Sequence, residues 1–306
     1  MTGLAVCTAV RANYLPHARV LAHSLRRHHP ELALHVILAD EVGGRFDPSD
    51  EPFVLSELAS LDGRDRRAEL AGRDPKEVVV AAKAEAIIHL LATGADTVLF
   101  VDADSLVLGD LGPLLGRIRG RAITLVPHHV APLEGPSAIG DELHQLIGGT
   151  FNGGLLAVSD RPAGHAFLSW WRERLRDHCR LATAEGIFYD QRWLDLVPGL
   201  FGEVGVQRDA AYDTAYWNVG QRDVGDCRLF HFSGFEPDGP SPVTRWAPEL
   251  GLDAMGEFAP LFAEYRATLV AQGLREAAGW RYAYARGEGD GSAAEEVARA
   301  PASDSR

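Results

Sequence analysis

LAVCTAVRANYLPHARVLAHSLRRHHPELALHVILAD, residues 4–40, decides the fold. Leu4 to Val10 is a continuous apolar run with β-branched residues, the pattern of a buried strand. Tyr14 to His29 then sets Leu15, Ala18, Leu21 or Ala22, and Leu25 on one helical face. Ala33 to Ala39 is a second buried strand that stops at Asp40. Strand, helix and strand in so short a span form a βαβ unit. That unit commits the chain to a parallel sheet with a right-handed crossover.

The alternation continues downstream. Lys76 to Leu91 predicts a helix and Thr97 to Val101 a third buried strand; Ala122 to Val126 and Leu155 to Val158 add two more. A helix carrying Phe167, Trp170, Trp171 and Leu175 follows, and a strand is expected at Arg228 to Phe232. Residues 43–75, rich in Gly, Asp, Arg and Pro, read as loops around short elements. His128 to Thr150 has little periodicity and reads as a long irregular insert, either functional or disordered. The expected fold class is α/β, a mostly parallel central sheet flanked by helices. Residues 1–250 would form the main domain and 251–285 a C-terminal helical extension. The Gly-, Ala-, Ser- and Glu-rich residues 286–306 would be a disordered tail.

Composition narrows the function. With 46% apolar residues, 306 residues can bury a large core, which excludes global disorder. Forty-three acidic against 30 basic side chains leave a formal charge of −13. That balance argues against nucleic-acid partners and anionic membranes, which need clustered Lys and Arg. Cys7, Cys179 and Cys227 are scattered and odd in number, and read as reduced thiols of a cytosolic protein. No basic stretch precedes Leu4, so no signal peptide is expected. No run approaches the roughly 18 apolar residues of a membrane span. A cytoplasmic chain is the expectation.

Val98-Leu99-Phe100-Val101-Asp102-Ala103-Asp104 is the sharpest chemical feature. A buried strand ends here in two carboxylates one residue apart. In open parallel sheets, ligands bind beyond the carboxyl ends of the strands. An Asp-x-Asp there can set oxygens on a hard divalent cation that in turn holds phosphate oxygens. The competing reading has one Asp capping the turn and the other solvated; the apolar strand before the pair favours the ligand site. Between Val78 and Ala92 only Lys83, Glu85 and His89 are polar. Lys83 must therefore snorkel, pair with a carboxylate or face an anionic ligand.

Other residues are ambiguous singly. Phe151-Asn152-Gly153-Gly154 opens a strand, either as a simple turn or as glycines that admit a ligand beside a donor–acceptor amide. Tyr189-Asp190-Gln191 lies in a short helical stretch and is unremarkable alone. In Phe230-His231-Phe232-Ser233-Gly234 the strand period of two turns His231 away from both aromatics. By itself His231 also reads as a structural residue. Ser233-Gly234 offers backbone N–H groups suited to a phosphate oxygen. Trp217-Asn218, in a polar stretch of low periodicity, is the tryptophan site to watch for stacking on a sugar or base. His128-His129 sits in the insert.

Taken in order, these features resemble those of GT-A glycosyltransferases. Thr8-Ala9-Val10 with Asn13-Tyr14 is similar to their nucleotide-binding start, especially in the retaining family 8 group with its glycogenin-like and galactosyltransferase-like members. VLFVDADSLVLGDL, residues 98–111, resembles that family's strand, Asp-x-Asp and following Gly-Asp-Leu. Phe151 to Gly154, Asp190-Gln191 and His231 to Gly234 follow in the family's order and rough spacing. The resemblance covers about residues 3 to 235.

The resemblance implies a GT-A (Rossmann-like) fold and sugar transfer from a nucleotide-sugar donor, most simply a UDP-sugar, with retention of anomeric configuration. It implies that Asp102, Asp104 and His231 hold Mn²⁺ (or Mg²⁺) on the diphosphate. Thr8, Ala9, Val10, Asn13, Tyr14 and Asp40 would surround the base and ribose. Lys83 would touch the sugar or diphosphate, with Ala103, Gly153 and Gly154 beside the donor. Asn152, Asp190 and Gln191 would hydrogen-bond the transferred sugar, and Gly234 would offer its N–H to a phosphate. Two departures mark a divergent, bacterial-type branch. The family's Lys shortly after His-x-x-Gly is missing, Arg245 being the first basic residue, and Ala215-Tyr216-Trp217-Asn218 has no counterpart in the core family.

Two rival functions share some of these features. Haloacid-dehalogenase-like phosphatases also carry Asp-x-Asp after an apolar strand, but after the first strand, whereas two strands precede it here. A non-catalytic nucleotide-sugar-binding protein is the other rival, and intact Asp102, Asp104 and His231 count against it.

Overall fold

The apolar runs at the N-terminus form β1 (Leu4–Val10) and β2 (Leu34–Leu38), joined by α1 (Leu15–His28). The computed structural model describes residues 3–285, so the expected tail at 286–306 lies outside the described residues. The chain continues through β3 (Val54–Glu57), α2 (Arg67–Leu70), α3 (Pro75–Ala92), β4 (Thr97–Val101), β5 (Ser105–Val107) and α4 (Gly112–Ile118). Then come β6 (Ile123–Pro127), α5 (Ala138–Gly148), β7 (Phe151–Ser159) and α6 (Pro162–His178). A short pair, β8 (Leu181–Ala182) and β9 (Ile187–Phe188), precedes α7 (Gln191–Leu194), α8 (Val197–Leu200) and β10 (Val204–Val206). β11 (Leu229–His231), α9 (Ala259–Ala271) and α10 (Leu274–Ala277) follow.

The main sheet has the order β10-β6-β7-β4-β1-β2-β3. β1 pairs in parallel with β2 and β4, while β7 runs antiparallel between β4 and β6. Alternate residues of β1 enter different cores. Ala5, Cys7 and Ala9 pack with residues of α3 and α6, whereas Val6 and Val10 pack with α1 and α4. Burial of both faces explains why the strands read as unbroken apolar runs. One consequence positions the site. The carboxyl ends of the parallel strands β1 and β4 and the start of the antiparallel β7 lie at the same edge.

α3 begins where Asp74 accepts hydrogen bonds from the N–H groups of Lys76 and Glu77, with Pro75 in the first turn. At the other end of the chain, α9 closes a third core. Phe230 and Phe232, on either side of His231, pack with Phe258, Phe262 and Tyr265. The rings of Phe232 and Tyr265 stack at 3.8 Å. Each buried aromatic contributes roughly 1.5–3 kcal/mol, and together they turn His231 to the opposite face. Segment 251–285 thus shares its core with β11.

The insert at 128–150 departs from expectation, because it contains the regular helix α5. Ile139, Leu143, Leu146 and Ile147 do recur at helical spacing, but all four are exposed. The helix is flanked by loops carrying Pro132, Pro136 and Gly149, which masked the period. Among residues 43–75, β3 adds an edge strand to the sheet. Among the described residues, no helix is long and apolar enough to cross a membrane.

Candidate active site at the strand ends

β4 stops at Val101, and the next residue is clamped on the neighbouring strand: the Asp102 N–H donates to the Gly154 carbonyl at 2.7 Å. A turn follows, closed by Ser105 N–H on the Asp102 carbonyl at 3.1 Å. β5 then pairs antiparallel with β11, setting Ser105 opposite His231, and Phe232 N–H donates to the Asp104 carbonyl at 2.8 Å. The two-aspartate turn is therefore held from both sides. Ligand atoms of Asp102, Asp104 and His231 lie within 4.8 Å of one another. His231 Nε2 is 3.2 Å from Asp104 Oδ1 and 3.9 Å from Asp102 Oδ2. Asp102 and Asp104 keep 27% and 16% of their side chains exposed, so a ligand can reach them.

Lys83 does not snorkel. It enters the site from α3, 7% exposed, with Nζ 3.1 Å from both Asp102 Oδ1 and Asp190 Oδ2. It also donates to the Gly153 carbonyl at 2.9 Å. Burial disfavours the ammonium, but Asp102 and Asp190 outweigh it and hold its pKa above the ordinary lysine value. Burial likewise opposes charge on His231, and Asp104, Asp213 and Asp102 outweigh it, raising its pKa to about 10. Asp102 is pushed up, by burial first; Asp104 is pulled down against burial by His231.

Both glycines after Asn152 are steric requirements. A Cβ on Gly153 would meet Asp190 Oδ2 at 2.6 Å; one on Gly154 would meet Asp102 Oδ2 and His231 Cε1 at 2.7 Å. Asp190 follows Tyr189, whose φ of +46° is a strained left-handed conformation. Asn152 and Gln191, expected on the sugar, are turned to protein partners. Asn152 Nδ2 lies 2.6 Å from Asp213 Oδ1 and 3.1 Å from His231 Nδ1, while its Oδ1 accepts from Gly154 N–H at 2.8 Å. Gln191 accepts from Gly153 N–H and donates to the Gly148 carbonyl, tying α5 to β7.

The residues at the end of β1 divide in two. Thr8 Oγ1 and Asn13 Oδ1 are buried polar atoms without a hydrogen-bond partner. Tyr14 stacks on His17 at 3.8 Å. Ala9 and Val10 contribute side chains to the cores, and the Val10 carbonyl accepts from Ala39 N–H. Asp40, expected beside the nucleoside, is 1% exposed and already engaged. It accepts from the N–H groups of Ala12, Glu41 and Ala283 and pairs with Arg45. It organises the loop leading to Asn13. Ala103 is buried between the two aspartates.

Three further features complete the site; Trp217 is the tryptophan singled out in the sequence, while the placements of Arg245 and Asp213 were not legible there. Arg245 backbone N–H donates to the Gly234 carbonyl at 2.9 Å, so the loop folds back onto the His231–Gly234 turn; the guanidinium lies over the Trp246 ring and 3.5 Å from Glu236. Gly234 sits at φ +69°, where a Cβ would meet Trp246 Cδ1 at 2.5 Å. Trp217 reaches the site, its ring perpendicular to that of His231 at 5.6 Å and its Nε1 buried without a partner. Asn218 fastens the loop beneath, donating to the carbonyls of His128 and Asp213. Asp213, the third, had no spacing signal; only the return of its loop to β11 brings it to His231. A separate cleft of about 520 Å³, between α2, α3 and α6 and lined by Arg66, Arg73 and Arg176 among others, includes none of these residues.

No family model matches the sequence. Uncharacterized protein YfnF of Bacillus subtilis (strain 168) is 32% identical over 107 residues, which span 31% of this chain and 35% of YfnF. The glycosyltransferase GlyE of Streptococcus pneumoniae TIGR4 superposes on 90% of this chain and 64% of its own, just under two thirds, at 16% identity and a TM-score of 0.54. The galactosyltransferase LgtC, solved with donor and acceptor sugar analogues, covers 86% of this chain and 95% of its own at 17% identity and a TM-score of 0.48. The mostly parallel sheet, the helices on both faces and the superposition on GlyE give the chain the fold of a GT-A glycosyltransferase.

Proposed function

We propose that this protein is a metal-dependent glycosyltransferase that moves a sugar from a nucleotide-sugar donor, most simply a UDP-sugar, to an acceptor hydroxyl. The observation that carries this reading is the convergence of Asp102, Asp104 and His231 at the strand ends of this fold. Two carboxylates and an imidazole suit Mn²⁺, and Mg²⁺ less well. When bound, the cation neutralises charge developing on the departing nucleoside diphosphate.

The chain's own groups do the rest. Thr8, Asn13 and Tyr14 bind the base and ribose. Lys83, Arg245 and the Gly234 N–H attract the diphosphate, Arg245 replacing the missing family lysine. Asp190, 3.1 Å from Lys83 Nζ, is the acidic group for the anomeric carbon, as a retaining transfer would need. Asn152 and Gln191 act by positioning His231 and Gly153. We place the enzyme in the cytoplasm, where a nucleotide sugar is made.

Purified protein incubated with a panel of nucleotide sugars and Mn²⁺ tests this reading. Donor hydrolysis that stops on adding a chelator supports it. Phosphate release from sugar phosphates without nucleotide-sugar turnover would overturn it in favour of a phosphatase.

A further inference from the structure

Asp213 is 1% exposed, and its backbone adopts φ +61°, a conformation that residues other than glycine rarely take. The surrounding chain over-determines that conformation. Thr214 N–H donates to the Leu229 carbonyl, His231 N–H donates to the Thr214 carbonyl, and Asn218 Nδ2 donates to the Asp213 carbonyl. Strain kept in place by so many bonds points to a role for the side chain. Oδ1 lies 2.6 Å from Asn152 Nδ2 and 3.7 Å from His231 Nδ1. Oδ2 has no partner, and the buried charge of Arg222 acts on the carboxylate without a hydrogen bond.

The two ring nitrogens of His231 face different surroundings. Nε2 faces Asp104 and Asp102. A cation there needs the Nε2 lone pair, so the proton must sit on Nδ1. Nδ1 faces two groups. The Asn152 amide is oriented by Gly154 N–H on its Oδ1, which leaves its NH₂ toward the imidazole. An N–H opposite an N–H is repulsive, and the perpendicular Trp217 ring offers no acceptor. The acceptor that remains is Asp213 Oδ1.

We propose that Asp213 is a positioning residue: it accepts the Nδ1–H of His231 and so aims the Nε2 lone pair at the divalent cation. The inference rests on the metal site proposed above.

Mn²⁺ affinity, measured by the EPR signal of free Mn²⁺ without any donor, tests this in wild type, Asp213→Gly, Asp213→Asn and His231→Gln. Asp213→Gly removes the carboxylate while relieving the left-handed strain, so the fold is spared. It should weaken Mn²⁺ binding roughly 10–100-fold. Asp213→Asn, which keeps a neutral acceptor, should lose less. Asp213→Gly with wild-type affinity, in a protein whose His231→Gln variant loses binding, overturns this inference and leaves the metal site standing. Wild-type affinity in His231→Gln removes the metal reading and this inference with it. Independently, ¹⁵N NMR of wild-type protein loaded with diamagnetic Zn²⁺ should show His231 protonated at Nδ1; a proton at Nε2 overturns the proposal.

Discussion

Replacing Gly154 by alanine adds one methyl group at the tightest point of the site. Gly154 is not in a left-handed conformation, so alanine meets no backbone penalty. The effect is purely steric. The new Cβ would lie 2.7 Å from both Asp102 Oδ2 and His231 Cε1, where ordinary contact starts near 3.4 Å. Each neighbour must give way by about 0.7 Å, the difference of those two distances. Neither is free to do so. Asp102 is tied to Lys83 at 3.1 Å and His231 to Asp104 at 3.2 Å. A misplacement of this size in a catalytic constellation costs on the order of 10²-fold in rate, and overpacking costs about 1–3 kcal/mol of stability. The assay is Mn²⁺-dependent donor hydrolysis beside thermal unfolding. Gly148→Ala is the control, because its Cβ would meet only Gln191 Nε2, at an ordinary 3.8 Å. Wild-type turnover and Mn²⁺ affinity in Gly154→Ala would refute the ligand geometry described here.

Asp104→Asn should abolish Mn²⁺-dependent donor hydrolysis with an unchanged circular dichroism spectrum; unchanged turnover would remove Asp104 from the metal set. Lys83→Met leaves Asp102 and Asp190 buried without their shared cation and should cost about 3–5 kcal/mol at neutral pH. Denaturant titrations should find that cost shrinking as pH falls, because Asp102, whose pKa is raised by burial, takes up a proton more readily than an ordinary carboxyl; a pH-independent cost would contradict this. His17 is buried, stacked on Tyr14, and its pKa is lowered by burial from 6.5 to about 4. The unfolded chain therefore binds the extra proton between those values, and stability falls as pH drops from 6.5 to 4, by about 3 kcal/mol from this group. His17→Phe should flatten the pH dependence of unfolding in that window, and an unaltered slope would exclude His17 as its source.

Much of the framework could be read locally. The runs at Leu4–Val10, Leu34–Leu38 and Thr97–Val101 announce strands because both faces of a covered parallel sheet exclude water. Asp102 and Asp104 stand out because they interrupt such a run. The aromatics on either side of His231 set the face it takes, since a strand has a period of two, but read alone it was a structural residue and only the family resemblance made it a ligand. α5 was missed because its apolar residues are exposed, so they do not signal burial. Lys83 was left with three readings; the structure shows it paired with Asp102 and Asp190 and does not have it snorkel.

Patterning along the chain thus sufficed for the α/β class, the two-aspartate turn and the order of the motifs, because side-chain periodicity and strand termination are local properties. The partners within the site were decided only in three dimensions. Asp190 meets Lys83, Arg245 returns to Gly234, and Asp213 comes to lie behind His231 across long loops whose closure depends on backbone hydrogen bonds to distant strands. Asp40 carries no local sign that four protein groups already occupy its oxygens. Charge and hydrogen-bond complementarity act through space, and residues far apart in sequence acquire those relations only when the sheet brings its strand ends to one edge.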